Sequence, residues 1–295
     1  MRVTFSMSYQ STLTNITKNQ ADMSKLTDML STGDRMSAPK DDPLAWAQAM
    51  DLKQGLREIS TFQSNVEFAT GWNEATYSAL TQLDDVLTQV TSVGISAQSS
   101  QSPDEVSAQI STLEELIEQA LGIANTQYDD SYVFSGTSLS TAAFDETTYG
   151  YLGNTKDFQV RIGTNNLDTI NLNGESVFFE DATDPTTNIL NQIAALKTAI
   201  ENGDTEEIRN QTAALQDAQE RVNGKSSLVG ARLSSLESRL SALEDLEVDA
   251  QTDLSNIADA DVVEVATMLE QKVILLEAAL TATSKIASLN LTDYL

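Results

Sequence analysis

The sequence predicts a mainly α fold: a long antiparallel helical bundle or coiled coil, with paired N- and C-terminal helices and a small inserted β domain. Three observations support this fold class. Apolar residues recur at intervals of three and four along both ends of the chain. Glycine, threonine, asparagine and aromatic residues cluster in the middle, between about residues 131 and 182. Helical patterns then return, so the order of elements folds back and brings the two ends together.

The first helix is predicted from the apolar spacing between Tyr9 and Leu30, and Gly33 is a suitable residue to end it. Asp41 and Asp42 then precede Pro43, an arrangement typical of an N-cap followed by proline at the first helical position. A long second helix follows. The segment Ser102–Glu105 has the pattern of a capping box and predicts the start of a third helix.

The inserted β domain is expected over residues 131–184. Two short alternating runs, Phe158–Ile162 and Thr169–Asn173, predict antiparallel strands there, and glycines separate them.

Helical pattern returns after Asp184 and Pro185, and a further helix opens at Asp204. The strongest heptad pattern lies in its later part, from Val229 to Leu243 and then from Ala250 to Ile257. A last helix follows residue 261. We therefore expect three parts: 1–42 with 260–295, a paired terminal-helix domain; 43–130 with 185–259, a helical rod; and 131–184, the β domain.

Composition excludes several classes of function. The 295 residues include no Cys and no His, which removes thiolate, imidazole and common zinc chemistry. A net charge of −27 argues against nucleic acid or an anionic membrane as a partner. The charge is uneven, because residues 1–60 are neutral whereas residues 61–200 carry a net −16. We expect no cofactor and no enzymatic activity.

Two possible ligand sites receive little support. Asn223–Ser226 looks like the end of a phosphate loop, but Gln219 stands where that loop needs glycine. Acidic pairs at residues 84–85, 114–115 and 129–130 could bind a hard cation, although solvated helix faces are the more common reading. The start of the chain lacks a Sec signal, and no apolar run is long enough to span a bilayer. Taken alone, these features predict a cytoplasmic protein.

Two segments resemble known signatures. Leu30–Pro43, with Gly33, Asp41, Asp42 and Pro43, is similar to the N-terminal signature of the flagellin family. Asn223–Leu233, with Gly230 and Arg232, resembles that family's C-terminal region. The turn Tyr132–Thr137, with Phe134 and Gly136, and the ending Leu289–Leu295 resemble the branch of the family that joins the hook to the filament. A short flagellin forming the filament itself is the alternative; a cytoplasmic helical binding module is a less favoured one.

The resemblance implies export through the flagellar type III channel without a cleavable signal, which replaces the cytoplasmic prediction with secretion to the hook–filament junction. It implies a ring or tubular homo-oligomer with the terminal helices near the axis. The implied partners are other copies of the chain, the first hook–filament junction protein, flagellin, and an export chaperone at the C-terminal region. Because isolated amphipathic helices are marginal in water, we also expect residues 1–40 and 260–295 to be disordered in a monomer. The expected assembly interface consists of Leu13, Ile16, Met23, Leu26, Leu30, Val265, Leu269, Leu276, Leu280, Ile286 and Leu295.

Overall fold

The structure is a computed structural model that describes residues 2–99 and 102–292, and the side chains in these ranges except those of 2–6, 8 and 286–292. The strands pair as two antiparallel hairpins, β1 (Gln127–Tyr128) with β2 (Ser131–Tyr132) and β3 (Gln159–Gly163) with β4 (Asn166–Thr169). The helices are α1 (Arg2–Thr32), α2 (Pro43–Ala97), α3 (Pro103–Ala124), α4 (Gly174–Phe178), α5 (Ile189–Asn202), α6 (Thr205–Ala258) and α7 (Val262–Thr292).

The predicted fold class is confirmed: long helices dominate, and a small strand-containing region is inserted between α3 and α5. The chain divides into two compact units, one made of Met1–Glu58 with Leu246–Leu295 and the other of Ile59–Asp245. The three-part division expected from the sequence stays a prediction.

The helices begin and end where local chemistry dictates. Gly33 follows α1 with φ +78°, a conformation that costs glycine little. Asp42 accepts a hydrogen bond from the Ala45 N–H at 3.1 Å and so caps the start of α2. The capping box of α3 is confirmed, with Ser102 and Glu105 each accepting the other's backbone N–H.

The core of the unit 59–245 lies between α2, α3, α5 and α6 and continues into the β insert. The later heptad of α6 is confirmed, because Val229, Leu236 and Leu243 are all buried. In the insert, the Trp72 ring packs edge-on against Tyr128 and Phe158, with ring centroids 6.2 and 5.6 Å away. These aromatic contacts fix the insert to α2 and give it a core in spite of its very short strands.

The second predicted strand was wrong in position. We expected it over Thr169–Asn173, whereas β4 ends at Thr169. Beyond that point the Ile170 N–H still donates to Phe158 O at 3.0 Å, but the side chain of Asn171 makes the next contacts: its Oδ1 accepts the Phe158 N–H at 2.9 Å, and its Nδ2 donates to Lys156 O at 3.0 Å. The side-chain amide of Asn171 therefore takes the place of a backbone hydrogen bond between the two strands.

The helical pattern expected to return after Asp184 and Pro185 is confirmed as α5. Pro185–Thr187 forms a 3₁₀ turn capped by Asp184, and α5 starts at Ile189 after the N-cap Asn188. The Asn188 side chain also donates to Tyr149 O at 2.7 Å, which ties the return of the helical pattern to the β insert.

Candidate assembly interface

Helices α1 and α7 pair along a seam with the spacing of a coiled coil. Ile16 on α1 and Val265 on α7 are buried, at 8% and 5% exposure. Partly buried residues continue at alternating steps of three and four, the pattern expected where two helices face each other. These seam residues are Asn19, Met23 and Leu26 on α1, and Leu269, Lys272, Leu276 and Ala279 on α7.

Polar groups interrupt the seam near its middle. Asn19 Nδ2 donates to the backbone carbonyl of Lys272 at 3.1 Å, and Lys272 Nζ donates to Asp22 Oδ2 at 2.6 Å. The hydrogen bond from Lys272 lowers the pKa of Asp22 below its ordinary value of 3.8. Polar residues inside an apolar seam favour one register of two helices at some cost in stability. The sequence reasoning missed Asn19 and Lys272 because it searched for apolar residues alone.

At one end of this helix pair, the turn after α1 and the turn before α7 are hydrogen-bonded to each other. The Ala260 N–H donates to Gly33 O, and the Arg35 N–H donates to Ala258 O, both at 2.7 Å. Beside them lies a small apolar cluster of Met36, Ala45, Ala49 and Ala258. The α1–α2 turn and the α6–α7 turn are therefore joined, which aligns α1 with α7 from that end.

The signature residue Asp41 fixes the loop between α1 and α2. Its carboxylate accepts a hydrogen bond from Lys25 Nζ at 2.8 Å and from the backbone N–H groups of Ser37 and Ala38, each at 3.3 Å. The hydrogen bond from Lys25 is the largest cause of a pKa for Asp41 below its ordinary value. The neighbouring Asp42 and Pro43 start α2, so this signature serves the loop and the helix start.

The outer faces of the α1–α7 pair expose many large apolar side chains. Val263, Ile274 and Leu275 on α7 are 76%, 65% and 57% exposed, so apolar residues occur well beyond the seam of that helix. We define the outer apolar face as the following residues: Met7, Tyr9, Leu13, Leu30, Val262, Val263, Met268, Val273, Ile274, Leu275 and Leu280. A helix that is apolar on several sides is typical of a buried environment.

The residues expected to form the assembly interface fall into two groups. Ile16, Met23, Leu26, Val265, Leu269 and Leu276 are seam residues, whereas Leu13, Leu30 and Leu280 belong to the outer apolar face. Ile286 lies in α7, but its side chain is outside the described residues, and so is the whole of Leu295. Their role in assembly stays a prediction. The disorder expected for the two ends of a monomer is not seen in the described residues, because α1 and α7 are helical and pair with each other.

The remaining signature residues hold the β insert and α6. Phe134 is fully buried, and its carbonyl accepts the Gly174 N–H at 2.8 Å. Gly136 has φ +74°, and a Cβ there would lie 2.0 Å from Asn154 O. Arg232 Nη1 donates to Asn171 O at 3.1 Å, and so connects α6 to the insert.

The ligand sites considered from the sequence gain no geometric support. Asn223–Ser226 lies inside α6. In the part of the chain that the structure describes, no group of three or more acidic side chains is placed to hold a metal ion. Among the same residues, none of the helices has the length and apolar character to cross a membrane.

Comparison with known families gives two matches. Residues 3–138 match the bacterial flagellin N-terminal helical region, and residues 212–295 match the bacterial flagellin C-terminal helical region. The chain is 30% identical over 285 residues to flagellar hook-associated protein 3 of Salmonella typhimurium, which covers 88% of this chain and 89% of that protein. The protein of the same name from Escherichia coli is 28% identical with the same coverage.

Solved structures with a similar fold carry related names. A putative flagellar hook-associated protein from Vibrio parahaemolyticus has a TM-score of 0.69 at 20% identity, covering 74% of this chain and 100% of its own. FlgL of Xanthomonas campestris has a TM-score of 0.61 at 17% identity, covering 69% and 99%. The relatives are flagellar structural proteins rather than enzymes. The resemblance inferred from the two signatures is confirmed: the chain belongs to the flagellin family and is a structural protein of the flagellar hook–filament junction.

Proposed function

We propose that copies of this chain assemble into a ring at the end of the hook through the outer apolar face of the α1–α7 pair. In this arrangement each copy first pairs its own ends along the seam, and the outer face then packs against neighbouring copies. The seam thus positions the interface, and the outer face forms it.

The observation that carries this proposal is the exposure of the outer apolar face. Large exposed apolar surfaces mark sites of protein–protein contact, and eleven large apolar side chains of the α1–α7 pair are between 38% and 76% exposed. Burying the exposed half of such a side chain contributes ~1 kcal/mol. Together they contribute ~10 kcal/mol, which is comparable to the ~4–15 kcal/mol that association costs in lost freedom of motion.

Charge supports the same arrangement. Residues 1–60 carry seven basic and seven acidic residues, so copies of this segment crowd together without net repulsion. Residues 61–200 carry a net −16 and favour a solvated position. We therefore place the α1–α7 pair toward the axis of the ring and the residues between them on the outside.

The neighbours and the export route are part of the proposal. We propose that the ring contacts the first hook–filament junction protein on one side and flagellin on the other, as the resemblance to the flagellin family implies; the relatives' names, hook-associated protein and junction protein, support a position at the hook. We further propose export through the flagellar type III channel, with an export chaperone covering the C-terminal region before assembly. The absence of cysteine suits a chain that crosses the cell envelope unfolded, because no disulfide can form on the way.

The substitution Ile274→Asp tests the assembly step. Ile274 is 65% exposed on α7, so the isolated chain should keep its stability within about 0.5 kcal/mol. A charge buried without a partner costs several kcal/mol, so the variant should be exported but missing from purified flagella, and flagellin should appear in the medium. The readouts are the amount of the chain in culture medium and in isolated flagella.

Thr198→Asp is the control. Thr198 is also an exposed residue of a helix, but it lies on α5, outside the α1–α7 pair, and its substitution should leave incorporation unchanged. Normal incorporation of Ile274→Asp would contradict assembly through the outer apolar face. Intact mass of the secreted chain tests export separately, because a trimmed N-terminus would point to a cleaved signal and against the type III route.

A further inference from the structure

One segment of α6 has a charge opposite to that of the rest of the chain. Residues 221–239 contain four basic residues and one acidic residue, whereas the whole chain carries −27. Lys225, Arg232 and Arg239 follow each other at intervals of seven, and therefore lie on one side of the helix. We call these three residues, together with Arg161 on strand β3, the basic patch.

Two arginines of the basic patch, Arg161 and Arg239, are held together by backbone carbonyls of the β3–β4 hairpin. Arg239 Nε donates to Ile162 O at 3.1 Å, and Arg161 Nε donates to Gly163 O at 3.2 Å. Gly163 makes room for this approach, since a Cβ there would meet the Arg239 guanidinium. Two guanidinium groups thus bind adjacent residues of one turn, and like charges are brought close together.

No carboxylate of the described residues neutralises the basic patch. None of its four members has a carboxylate oxygen within 4.0 Å, whereas Lys25, Lys197 and Lys272 elsewhere are each paired. Carbonyl oxygens hold a guanidinium in place but carry no full charge to offset it. A patch of cations without carboxylate partners, three of them held by backbone carbonyls, is therefore suited to a partner that presents carboxylates.

Helix α3 presents such carboxylates. Its 22 residues contain five acidic residues and no basic one. Asp104, Glu115 and Glu118 share an exposed face with Ala108, Ser111 and Gly122, and these small residues leave room for close approach. The acidic row from Asp104 to Glu118 and the basic row from Lys225 to Arg239 each span 14 residues, or ~21 Å of helix.

The two charged rows lie at different levels of the same unit. The Asn223 side chain on α6 donates a hydrogen bond to Asp84 on α2, and the Gln109 side chain on α3 donates one to Ser96, also on α2. These two contacts fix the positions of α6 and α3 along α2. From this register, the middle of the acidic row is displaced by ~30 Å along α2 from the middle of the basic patch. One copy cannot bring its own two rows together, but two copies displaced along their length can.

We propose that the basic patch of one copy binds the acidic face of α3 on a second copy, in a head-to-tail contact that repeats from copy to copy. This inference rests on the proposed ring. It identifies a contact between neighbouring copies that are displaced along their length. A contact between two different surfaces of the same chain generates a ring or a helical array rather than an isolated dimer.

Cross-linking in isolated flagella tests this contact. The chain has no cysteine, so Ser111→Cys with Ser235→Cys places one thiol in the acidic face and one beside the basic patch, without removing a charge. Both serines are exposed. A short thiol-to-thiol cross-linker should produce a ladder of dimers, trimers and larger species of this chain, whereas each single variant should stay monomeric. The displacement of ~30 Å prevents linkage within one copy.

Thr198→Cys with Ser235→Cys is the matched control, because Thr198 is exposed on α5 rather than α3. It should give no ladder. A variant that is present in flagella but forms no ladder, or that links to a different protein, would overturn the head-to-tail contact and leave the ring proposal standing. If cells that make both the variant and the unmodified chain assembled flagella without the variant, that result would instead count against the ring proposal.

Charge reversal adds a second readout. Lys225→Glu should lower the yield of the ladder by roughly 1.5- to 5-fold per exposed ion pair lost, and Glu115→Lys in the same chain should restore part of it. Arg209→Glu makes the same change of charge on α6 outside the basic patch and should have no effect. Equal effects of Lys225→Glu and Arg209→Glu would contradict a specific contact.

Discussion

Lys272 on α7 donates a hydrogen bond to Asp22 on α1 over 2.6 Å, in the middle of the seam that pairs the two ends of the chain. The lysine lies in line with Leu269 and Leu276, where an apolar residue is the usual choice. Because Asn19 reaches the backbone of the same lysine, the two helices are joined at one level by two polar contacts. The pairing of the ends is therefore sensitive to charge as well as to apolar packing.

A first prediction concerns the pH dependence of this pairing. The hydrogen bond from Lys272 lowers the pKa of Asp22, so ionised Asp22 stabilises the folded chain above the ordinary aspartate pKa of 3.8. This stabilisation should be lost as the pH falls through the lowered pKa. Urea unfolding of the unit formed by the ends, followed from pH 6 down to pH 2, should show the loss.

Asp22→Asn should remove part of that pH dependence, because the amide does not titrate. Asp28→Asn is the control, since Asp28 is an exposed carboxylate of the same helix. An unchanged pH profile in Asp22→Asn would show that the contact with Lys272 does not stabilise the pair.

A second prediction compares two glycines in the unit 59–245. Gly136 has φ +74°, and an added Cβ would lie 2.0 Å from Asn154 O, so Gly136→Ala should destabilise the unit by more than ~1 kcal/mol. Gly122 lies in α3 with open space around it, and Gly122→Ala should stabilise the unit by ~0.5–1 kcal/mol. Denaturant midpoints of the two variants, measured side by side, should move in opposite directions.

A third prediction concerns Tyr151 in the β insert. Burial raises the pKa of its phenol to about 12, and the hydroxyl lies 2.9 Å from the carbonyl oxygens of Phe134 and Asn154. The protonated phenol therefore stabilises the insert below the ordinary pKa of 10, and this contribution is lost as the pH rises toward 12. Phenolate absorbance should show one late-titrating tyrosine that is missing in Tyr151→Phe.

The variant Tyr151→Phe should also cost ~1 kcal/mol at neutral pH, because it removes the hydrogen bonding of the hydroxyl to the carbonyl oxygens of Phe134 and Asn154. Its stability should fall less between pH 10 and 12 than that of the unmodified chain. Equal alkaline losses in both proteins would assign the loss to other groups.

Sequence periodicity predicted the long helices and their ends, because caps, glycine stops and apolar spacing are local signals. It did not predict how the insert closes. There the side-chain amide of Asn171 replaces a backbone hydrogen bond between strands, and such a contact produces no periodic pattern in the sequence. The roles of Asn19 and Lys272 were missed for a related reason: a polar residue in an apolar seam looks like a gap in the pattern. The hydrogen bonds from Arg232 and Arg239 to the insert join residues distant in sequence and have no local signature.

The candidate interface was predictable in its helices but not in its faces. Leu276 and Leu280 are one turn apart, and the spacing alone placed both on one stripe. In the structure Leu276 is partly buried in the seam, whereas Leu280 is 52% exposed on the outer apolar face. Because α7 is apolar on several sides, its sequence does not reveal which side faces α1 and which faces away from it.

The last prediction uses this difference to separate pairing within a copy from contact between copies. Leu276→Asp puts a charge into the seam and should break the α1–α7 pair, because a charge that is buried without a partner costs several kcal/mol. Leu280→Asp should leave the pair intact, since the new carboxylate points to solvent in the isolated chain. Urea unfolding of the monomer should therefore show a large loss of stability in the first variant and a change within about 0.5 kcal/mol in the second.

Both variants should fail to enter the flagellum, but for different reasons. In Leu276→Asp the outer face is no longer positioned, whereas in Leu280→Asp it is positioned but carries a charge into the contact between copies. Secretion is measured alongside, because a chaperone at the C-terminal region is part of the proposal. If Leu280→Asp entered flagella normally while Leu276→Asp did not, the seam alone would be needed, and assembly through the outer apolar face at Leu280 would be ruled out.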